Sequence, residues 1–181
     1  MIDFVKELNK KYNAGREYLR IYYYDCYPLG KQIEYPISKR KYNLDKTQRY
    51  KEGNNLLNSL KREDFVSVRE GVLIYQGWKS KITVPKKILS EQQITDDDFK
   101  PDIVQKGVDI KIGLDIAWIS LGRIAERIIL ITGDSDFVPA MKFARRSGIQ
   151  VFYCSLGHGG VDNLKDNSDV NILSDLATIM R

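Results

Sequence analysis

The distribution of apolar and polar positions along the chain predicts helices that alternate with strands. The helical patterns, in which apolar side chains recur every three to four residues, cover residues 2–12, 44–62, 109–122 and 137–147. The strand-like patterns, which are short apolar or alternating runs, cover residues 18–25, 66–75, 126–132 and 150–155. Strands that alternate with helices through short connections form a parallel sheet with helices on both faces. The pattern therefore predicts an α/β fold with three layers, α/β/α, around a mainly parallel central sheet.

Other segments carry weaker patterns. Residues 31–43 are predicted to be an irregular basic loop, and residues 82–84 a short strand after a turn at Gly77. Residues 85–105 are predicted to be a surface loop, since no periodicity organises them. The three consecutive aspartates at 96–98 indicate a solvated turn or a helix cap, because no predicted strand end positions them.

The composition is that of an ordinary globular protein. Its 181 residues suit a single domain over 1–181, which is long enough to bury a core without disulfides. The two cysteines, Cys26 and Cys154, lack metal-type spacing and are predicted to be buried thiols of a reduced cytoplasmic protein. The start of the chain does not resemble a signal peptide, and no apolar run reaches transmembrane length, so no membrane association is expected.

The charge of the chain is unevenly distributed. The net charge is +5, and residues 39–51 alone hold six basic residues and one acidic residue. Tyr42 and Tyr50 lie among these cations, and cations neutralise phosphates while aromatic rings stack on unpaired bases. The segment is therefore either a nucleic-acid contact or a solvated helical face. The residues predicted to contact nucleic acid are Lys39, Arg40, Lys41, Tyr42, Lys46 and Arg49.

The run IILITGDSDF over residues 128–137 concentrates the candidate chemistry. Its four apolar residues predict a buried strand that breaks at Gly133, and Asp134 and Asp136 follow. Ligands of open α/β sheets bind at the carboxyl ends of strands. Two carboxylates this close repel each other unless a cation such as Mg²⁺ lies between them. The local pattern leaves two interpretations open: a metal-binding pair, or a helix-capping aspartate beside a solvated one.

Further aspartates are predicted near the same edge of the sheet. Asp25 ends the first predicted strand, and Asp109 opens the helix that precedes the strand at 126–132. Asp115 follows on that helix, about 240° around it and about 9 Å along it, so Asp109 and Asp115 cannot easily share one ion. Clustered carboxylates on one edge suit the two-metal hydrolysis of phosphodiesters.

Nucleophilic catalysis lacks a candidate in this sequence. The single histidine, His158, lies in the glycine-rich turn 157–160, and no serine or cysteine motif accompanies it. A phosphate contact is compatible with that turn, but a structural role is more common. The turn does not match a dinucleotide-binding fingerprint. Short helices are predicted on its far side, over 161–168 and 174–180.

Four stretches of the chain together resemble the NYN domain of LabA-like proteins, a branch of the PIN-like nucleases. They are YYYDCYP (22–28), KGVDIKIGLD (106–115), ITGDSDFVPAMKFARRSGIQV (131–151) and LKDNSDVNIL (164–173). The resemblance implies a PIN-like α/β/α fold and a ribonuclease that depends on Mg²⁺ or Mn²⁺. It implies a catalytic acidic site at Asp109, Asp134 and Asp136. Asp169 matches an acidic position in the family's C-terminal helix, and Asp115 matches a second acidic position in the KGVD helix.

The resemblance departs from the family pattern at its start. Family members begin with a strand that ends in Asp-Gly-x-Asn, whereas residues 1–12 align with the helix that follows that strand. Two alternatives are open: the native protein extends upstream of Met1 and supplies the strand there, or the protein lacks it. A chain without the strand would lack one ligand of the acidic site. Its exposed sheet edge would also favour pairing with a second copy, so the oligomeric state is open and a homo-oligomer is one possible form.

Three functional hypotheses follow from these observations. The first is a cytoplasmic Mg²⁺- or Mn²⁺-dependent endoribonuclease that hydrolyses single-stranded or structured RNA. Its metal ligands would be Asp109, Asp115, Asp134, Asp136 and Asp169. The second, motivated by the departure at the start, is a catalytically impaired RNA-binding or regulatory module. The third and weaker one is a metal-dependent phosphatase that uses the same acidic edge.

Overall fold

The computed structural model describes residues 2–12, 18–81, 83–155 and 161–172. The chain divides into two compact units, which are described separately: residues 1–20 with 109–181, and residues 21–108. The helices are α1 Ile2–Tyr12, α2 Gln48–Leu60, α3 Thr83–Leu89, α4 Val108–Leu121, α5 Val138–Arg146 and α6 Asp162–Asp166. The strands are β1 Ile21–Asp25, β2 Gln32–Glu34, β3 Lys41–Asn43, β4 Val66–Glu70, β5 Val72–Ser80, β6 Phe99–Lys106, β7 Arg127–Ile131, β8 Gln150–Cys154 and β9 Val170–Ile172.

The first unit is built on a parallel sheet in the order β7-β8-β9. Ile128 of β7 pairs with Val151 of β8, and Phe152 of β8 pairs with Val170 of β9. The central strand β8 is buried from Val151 to Cys154, because strands flank it on both sides. Since all three strands run in one direction, the sheet has one amino edge and one carboxyl edge.

Alternate side chains of β8 enter two separate apolar clusters, as expected of a strand that is covered on both faces. Val151 and Tyr153 enter a cluster supplied by α4, α5 and α6, whereas Phe152 and Cys154 enter one supplied by α1 and β9. Helices therefore cover both faces of this sheet. The largest fully buried helix side chains of the two clusters are Phe4, Leu8, Met141 and Leu164.

The second unit contains three two-stranded sheets among its described residues. The pair β1–β4 is parallel, whereas β2–β3 and β5–β6 are antiparallel. Helix α2 begins after Thr47, whose hydroxyl accepts a hydrogen bond from the N–H of Tyr50 at 3.2 Å. Gly71 separates β4 from β5. This position favours glycine, because a Cβ here would approach Cys26 Sγ to 2.7 Å.

Most of the predicted elements are present. The structure confirms the helices predicted over 2–12, 44–62, 109–122, 137–147 and 161–168 and the strands predicted over 18–25, 126–132 and 150–155, with shifts of a few residues at their ends. The mixed α/β class is therefore shown. One mainly parallel central sheet stays a prediction, since the described strands form four small sheets. The single domain over 1–181 also stays a prediction.

The middle of the chain differs from the prediction in three places. Residues 31–43 form the β2–β3 hairpin rather than an irregular loop. Ile33 is the one buried residue of these two strands, so no alternation is visible in the sequence. The strand predicted over 66–75 is divided at Gly71, and Thr83, inside the strand predicted over 82–84, begins α3 instead.

Residues 85–105 are not an irregular surface loop. They contain most of α3, a 3₁₀ turn at Asp96–Asp98 and most of β6. Strand β6 pairs with β5 along its whole length, from Phe99 opposite Ser80 to Lys106 opposite Val72. This pairing holds the segment in place although its local sequence carries no strand pattern.

The three aspartates at 96–98 form a 3₁₀ turn whose N-cap is Thr95, and they differ in exposure. Asp98 is only 4% exposed, and its Oδ2 accepts hydrogen bonds from the N–H of Thr95 and from the ammonium group of Lys87, each at 2.8 Å. Asp96 Oδ1 accepts a hydrogen bond from the N–H of Ile37 at 3.0 Å. Asp98 therefore belongs to the capping box of a 3₁₀ turn, which agrees in part with the two predicted alternatives, and Asp96 and Asp98 make structural contacts.

Stability in acid should report the contacts of Asp98. The hydrogen bond from Lys87, and then the one from the Thr95 N–H, lowers the pKa of the Asp98 carboxyl from its ordinary value of 3.8. A carboxyl whose pKa is lowered by folding contributes stability above its unfolded pKa and loses it as the pH falls through the folded pKa. We expect the free energy of unfolding to fall below about pH 4, and to fall less steeply in Asp98→Asn. Urea denaturation across this range measures both slopes, and equal slopes would contradict the role of Asp98.

The two cysteines agree with the prediction from their spacing. Cys26 and Cys154 are both buried, and neither forms a disulfide. None of the helices in the described ranges is long and apolar enough to cross a membrane.

Candidate active site

The turn after β7 presents two exposed carboxylates on a fixed backbone. Thr132 Oγ1 accepts a hydrogen bond from the N–H of Asp134 at 3.1 Å, and Asp134 Oδ1 accepts one from the N–H of Asp136 at 2.9 Å. Asp134 thereby caps the 3₁₀ turn Ser135–Phe137. Phe137 and the following Val138 are buried in the apolar cluster against β8, so they anchor the turn to the core.

Both carboxylates remain accessible to a cation. Asp134 and Asp136 are exposed, and in the part of the chain that the structure describes neither forms an ion pair with lysine or arginine. The cap occupies only Oδ1 of Asp134. Two negative charges this close in sequence attract a divalent cation. The two interpretations of this run are therefore compatible, because capping leaves carboxylate oxygens available.

Asp109 and Asp115 lie on α4, which leads into β7. Asp109 is exposed in the first helical turn, and residues 122–126 connect the end of α4 to the start of β7. Because residues 122–126 lead from the end of α4 to the start of β7, we expect the first turn of the helix to lie toward the carboxyl edge of the sheet, but Asp109, Asp134 and Asp136 do not come close enough together to hold an ion. Asp115 is half-buried and lies about 9 Å further along the helix axis. The topology thus favours Asp109 over Asp115 as a neighbour of the turn.

No closed metal site exists among the described residues, since no three Asp, Glu, His or Cys side chains there come close enough to hold an ion. Mg²⁺ at phosphoryl-transfer sites commonly takes only one or two protein carboxylates and completes its shell with water and substrate phosphate oxygens. Asp134 and Asp136 supply the hard oxygen donors that such a site needs. The donor chemistry therefore fits an Mg²⁺ or Mn²⁺ ion that binds together with a phosphate-containing substrate.

Asp169 lies at the opposite edge of the sheet. It follows α6 and directly precedes β9, so it is not part of a helix as the resemblance implied. Its Oδ2 accepts a hydrogen bond from the N–H of Val151 at 2.8 Å, and its Oδ1 accepts one from Arg145 Nε at 2.9 Å. Val151 lies near the start of β8, which places Asp169 at the amino edge. The structure therefore does not bring Asp169 together with Asp134 and Asp136.

The residues predicted to contact nucleic acid lie in the second unit, around the β2–β3 hairpin and the start of α2. Tyr42 is half-buried, with its ring centroid 5.1 Å from that of Tyr35. The guanidinium group of Arg40 lies 5.7 Å from the Tyr35 ring and 3.8 Å from the carboxylate of Asp96. The exposed cations of this surface are Lys39, Arg40, Lys41, Lys46 and Arg49.

Sequence reasoning missed three aromatic residues beside this surface: Tyr35, Tyr75 and Trp78. The rings of Tyr35 and Trp78 stack with their centroids 5.3 Å apart. A register shift between Tyr75 and Gly77 brings Tyr75 and Trp78 to the same face of β5. A glycine inside a strand often marks such a bulge, so Gly77 was the signal, although the sequence analysis assigns it to a turn.

Two predicted features are outside the described residues. They are the glycine-rich turn 157–160 with His158, and the helix predicted over 174–180.

The acidic turn and the basic hairpin both lie within a segment of the chain that a family model matches. A family model for the NYN domain matches residues 31–178, which is more than half of the chain. The chain belongs to the NYN domain family. NYN domains are PIN-like, and the family generally comprises nucleases that act on RNA. The LabA-like branch stays a prediction, because the match does not distinguish branches of the family.

Comparison with individual proteins adds a similarity to a solved structure. The NYN chain is similar to a protein of unknown function from Vibrio parahaemolyticus RIMD 2210633, with 15% sequence identity and a TM-score of 0.48. The similarity covers 92% of this chain and 75% of the other. No curated protein matches the NYN chain.

The contacts of Asp169 predict an effect on stability rather than on chemistry. Asp169→Ala removes the acceptor for Val151 N–H and for Arg145, so we expect it to lower the free energy of unfolding of the NYN domain by about 1–2 kcal/mol. RNA cleavage per folded molecule should remain unchanged. Denaturant unfolding gives the first quantity, and an RNA cleavage assay at a matched folded fraction gives the second. Loss of cleavage without loss of stability would show that Asp169 acts in the site.

Proposed function

We propose that this NYN domain is a divalent-metal-dependent ribonuclease that works at the turn after β7. The observation that carries the proposal is the pair of exposed carboxylates, Asp134 and Asp136, held at the carboxyl end of the half-buried parallel strand β7. Asp109, in the first turn of α4, is the third proposed member, and it would reach the ion directly or through water. Asp115 is left out of this set because it is half-buried and lies about 9 Å along α4 from Asp109. Asp169 is left out because it lies at the amino edge of the sheet.

The metal that fits this donor set is Mg²⁺ or Mn²⁺. Bound there, such ions would neutralise phosphate charge and polarise the scissile phosphodiester for attack by water. Asp134 and Asp136 would hold the ions through oxygens that the cap does not use. A site that binds its metal together with the substrate also explains why two carboxylates can suffice.

The backbone of the turn gives these side chains a defined position. The hydrogen bonds from Asp134 N–H to Thr132 and from Asp136 N–H to Asp134 fix the path of the chain. The burial of Phe137 and Val138 fixes where the turn sits on the sheet. A carboxylate held in this way loses little conformational freedom when a cation binds, and such preorganisation strengthens binding.

Removal of the metal gives a direct test of the proposal. Purified protein should cleave single-stranded RNA in Mn²⁺ or Mg²⁺, should stop in EDTA, and should recover when excess Mn²⁺ is added back. Recovery distinguishes loss of the ion from irreversible inactivation. Cleavage that persists in EDTA at an unchanged rate would contradict the metal requirement, and RNA that stays intact under all conditions would contradict the ribonuclease itself.

A second candidate function is an RNA-binding module without catalysis. The observation in its favour is that three acidic ligands do not converge within the described residues. RNA binding that survives both EDTA and Asp134→Asn, in a protein that never cleaves RNA, would select this alternative. The two buried cysteines form no disulfide, which suits a reducing compartment, so we propose the cytoplasm as the location for either function.

A further inference from the structure

An aromatic groove lies between the β2–β3 hairpin and β5, in the second unit. Its volume is about 640 Å³, within the usual range for ligand sites, and Tyr35, Tyr75 and Trp78 supply its rings. Neighbouring side chains of a strand normally alternate between faces, so positions 75 and 78 would face opposite sides. The bulge at Gln76 removes this alternation, because Tyr75 pairs with Ile103 and Gly77 with Asp102.

The backbone conformation of Gly77 favours glycine, so the sequence itself encodes the bulge. Its φ of 113° lies in the region that favours glycine, and a Cβ there would meet no atom within 4 Å. Conformation rather than space therefore requires glycine at this position. Bulges of this kind re-aim side chains, and here the result is that Tyr75 and Trp78 both line the groove.

The rings of the groove are held in place before any ligand binds. Trp78 Nε1 donates a hydrogen bond to the carbonyl oxygen of Glu34 at 2.7 Å, and the Trp78 ring stacks on Tyr35 at an interplanar angle of 25°. The ring centroid of Tyr42 lies 5.1 Å from that of Tyr35 and 6.2 Å from that of Trp78, so Tyr42 packs against both rings. A planar ligand could stack on this surface without a large loss of side-chain freedom.

The groove is bordered by cations. Lys31 and Lys39 line it, and the Lys31 ammonium lies 5.4 Å from the Tyr75 ring centroid. Arg40 lies over Tyr35 at the same end of the hairpin. Glu34 is the acidic residue of the lining, so the positive charges exceed the negative ones. Flat aromatic surfaces edged by cations match unpaired nucleobases joined by phosphates.

We propose that this groove binds the unpaired bases of single-stranded RNA and makes the protein selective for single strands. The inference rests on the proposed ribonuclease only in taking RNA as the polymer. Bases of a duplex are stacked on one another and cannot present a free face to Tyr75 or Trp78, so a duplex would gain only phosphate contacts with the lysines.

Equilibrium binding in EDTA tests the proposal without cleavage. Fluorescence anisotropy would use a labelled single-stranded RNA of about 12 nucleotides and the blunt duplex of the same sequence. We expect Trp78→Ala to weaken single-strand binding by about 5- to 150-fold, the range found for base–aromatic stacks, and to leave duplex binding nearly unchanged. Trp78→Phe should restore most of the affinity. Trp118→Ala, which truncates an exposed tryptophan of the other unit, is the matched control and should bind as wild type.

Tryptophan fluorescence keeps the proposal testable if Trp78→Ala does not fold. The chain has two tryptophans, so Trp118→Phe leaves Trp78 as the sole reporter. Saturating single-stranded RNA should quench its emission, and the duplex should not. Unchanged emission at saturation, or a folded Trp78→Ala protein with wild-type affinity, would overturn the proposal. RNA binding that depends on Trp78, in a protein that never cleaves RNA, would refute the proposed ribonuclease but not the proposed groove. RNA cleavage and binding that are unaffected by Trp78→Ala would refute the groove but not the ribonuclease.

Discussion

Asp134→Asn is expected to abolish metal-dependent RNA cleavage while the fold remains intact. Asparagine and aspartate are equally good N-cap residues, so the variant can still accept the hydrogen bond from Asp136 N–H. The substitution therefore removes a charge and an anionic oxygen but keeps the shape of the turn. Mutation of a residue that only hydrogen-bonds to a metal ligand already lowers activity by about 10- to 100-fold. Loss of a ligand itself should therefore lower activity by at least about 100-fold.

The control for Asp134→Asn is the same substitution at an exposed aspartate outside the site. Asp3, in the first turn of α1, meets this condition. Asp3→Asn should cleave RNA at the wild-type rate, and both variants should unfold within about 0.5 kcal/mol of wild type. Single-turnover cleavage in Mn²⁺ measures the difference. Equal activity of Asp134→Asn and Asp3→Asn, in folded proteins, would remove Asp134 from the site.

Leu164→Ala is expected to cause the largest loss of stability among the variants considered. Leu164 is fully buried, and it shares the apolar cluster with Phe137 and Val138 at the base of the acidic turn. Truncation of a buried leucine removes its transfer free energy and leaves a cavity, which together cost about 2–5 kcal/mol. Because the cavity would lie under the turn, the metal affinity of the turn should also fall.

Leu114→Ala provides the matched control for this effect. Leu114 is 62% exposed on α4, so the same truncation creates no cavity. Its free energy of unfolding should stay within about 0.5 kcal/mol of wild type, because alanine is also a good helix former. Urea denaturation with fitted m-values compares the two variants. Similar losses at Leu164 and Leu114, or none at either, would contradict the packing described for α6.

The acidic turn could be predicted from sequence because its signals are local. An apolar run, a glycine and two aspartates lie within ten consecutive residues, 128–137, and the hydrogen bonds that shape the turn join residues two apart. Helices α4 and α5 could also be predicted from sequence, because their periodic patterns cover more than ten residues each, 109–122 and 137–147. Element type is most predictable where a long periodic segment and its caps agree.

Asp169 shows why other positions could not be predicted from sequence. Its position in sequence matches an acidic position of the family, but its partners are Val151 and Arg145, distant residues that only the folded chain brings to it. The pairing of β6 with β5 is similar, since Pro101 and Asp102 weaken every local strand signal there. Trp78 joined the groove through a one-residue bulge, which inverts the facing that alternation predicts. Long-range contacts decided each of these cases.

Direct observation of Mn²⁺ binding tests the central proposal most sharply. Free Mn²⁺ gives an electron paramagnetic resonance signal that decreases when the ion binds to protein, so binding is measured without turnover. An RNA with 2′-O-methyl groups can serve as a ligand that is not cleaved. Wild-type protein with this RNA should deplete the free Mn²⁺ signal, and the double variant Asp134→Asn, Asp136→Asn should not, although it still folds and still binds the RNA. Equal depletion by the two proteins would show that the carboxylates after β7 do not hold the metal.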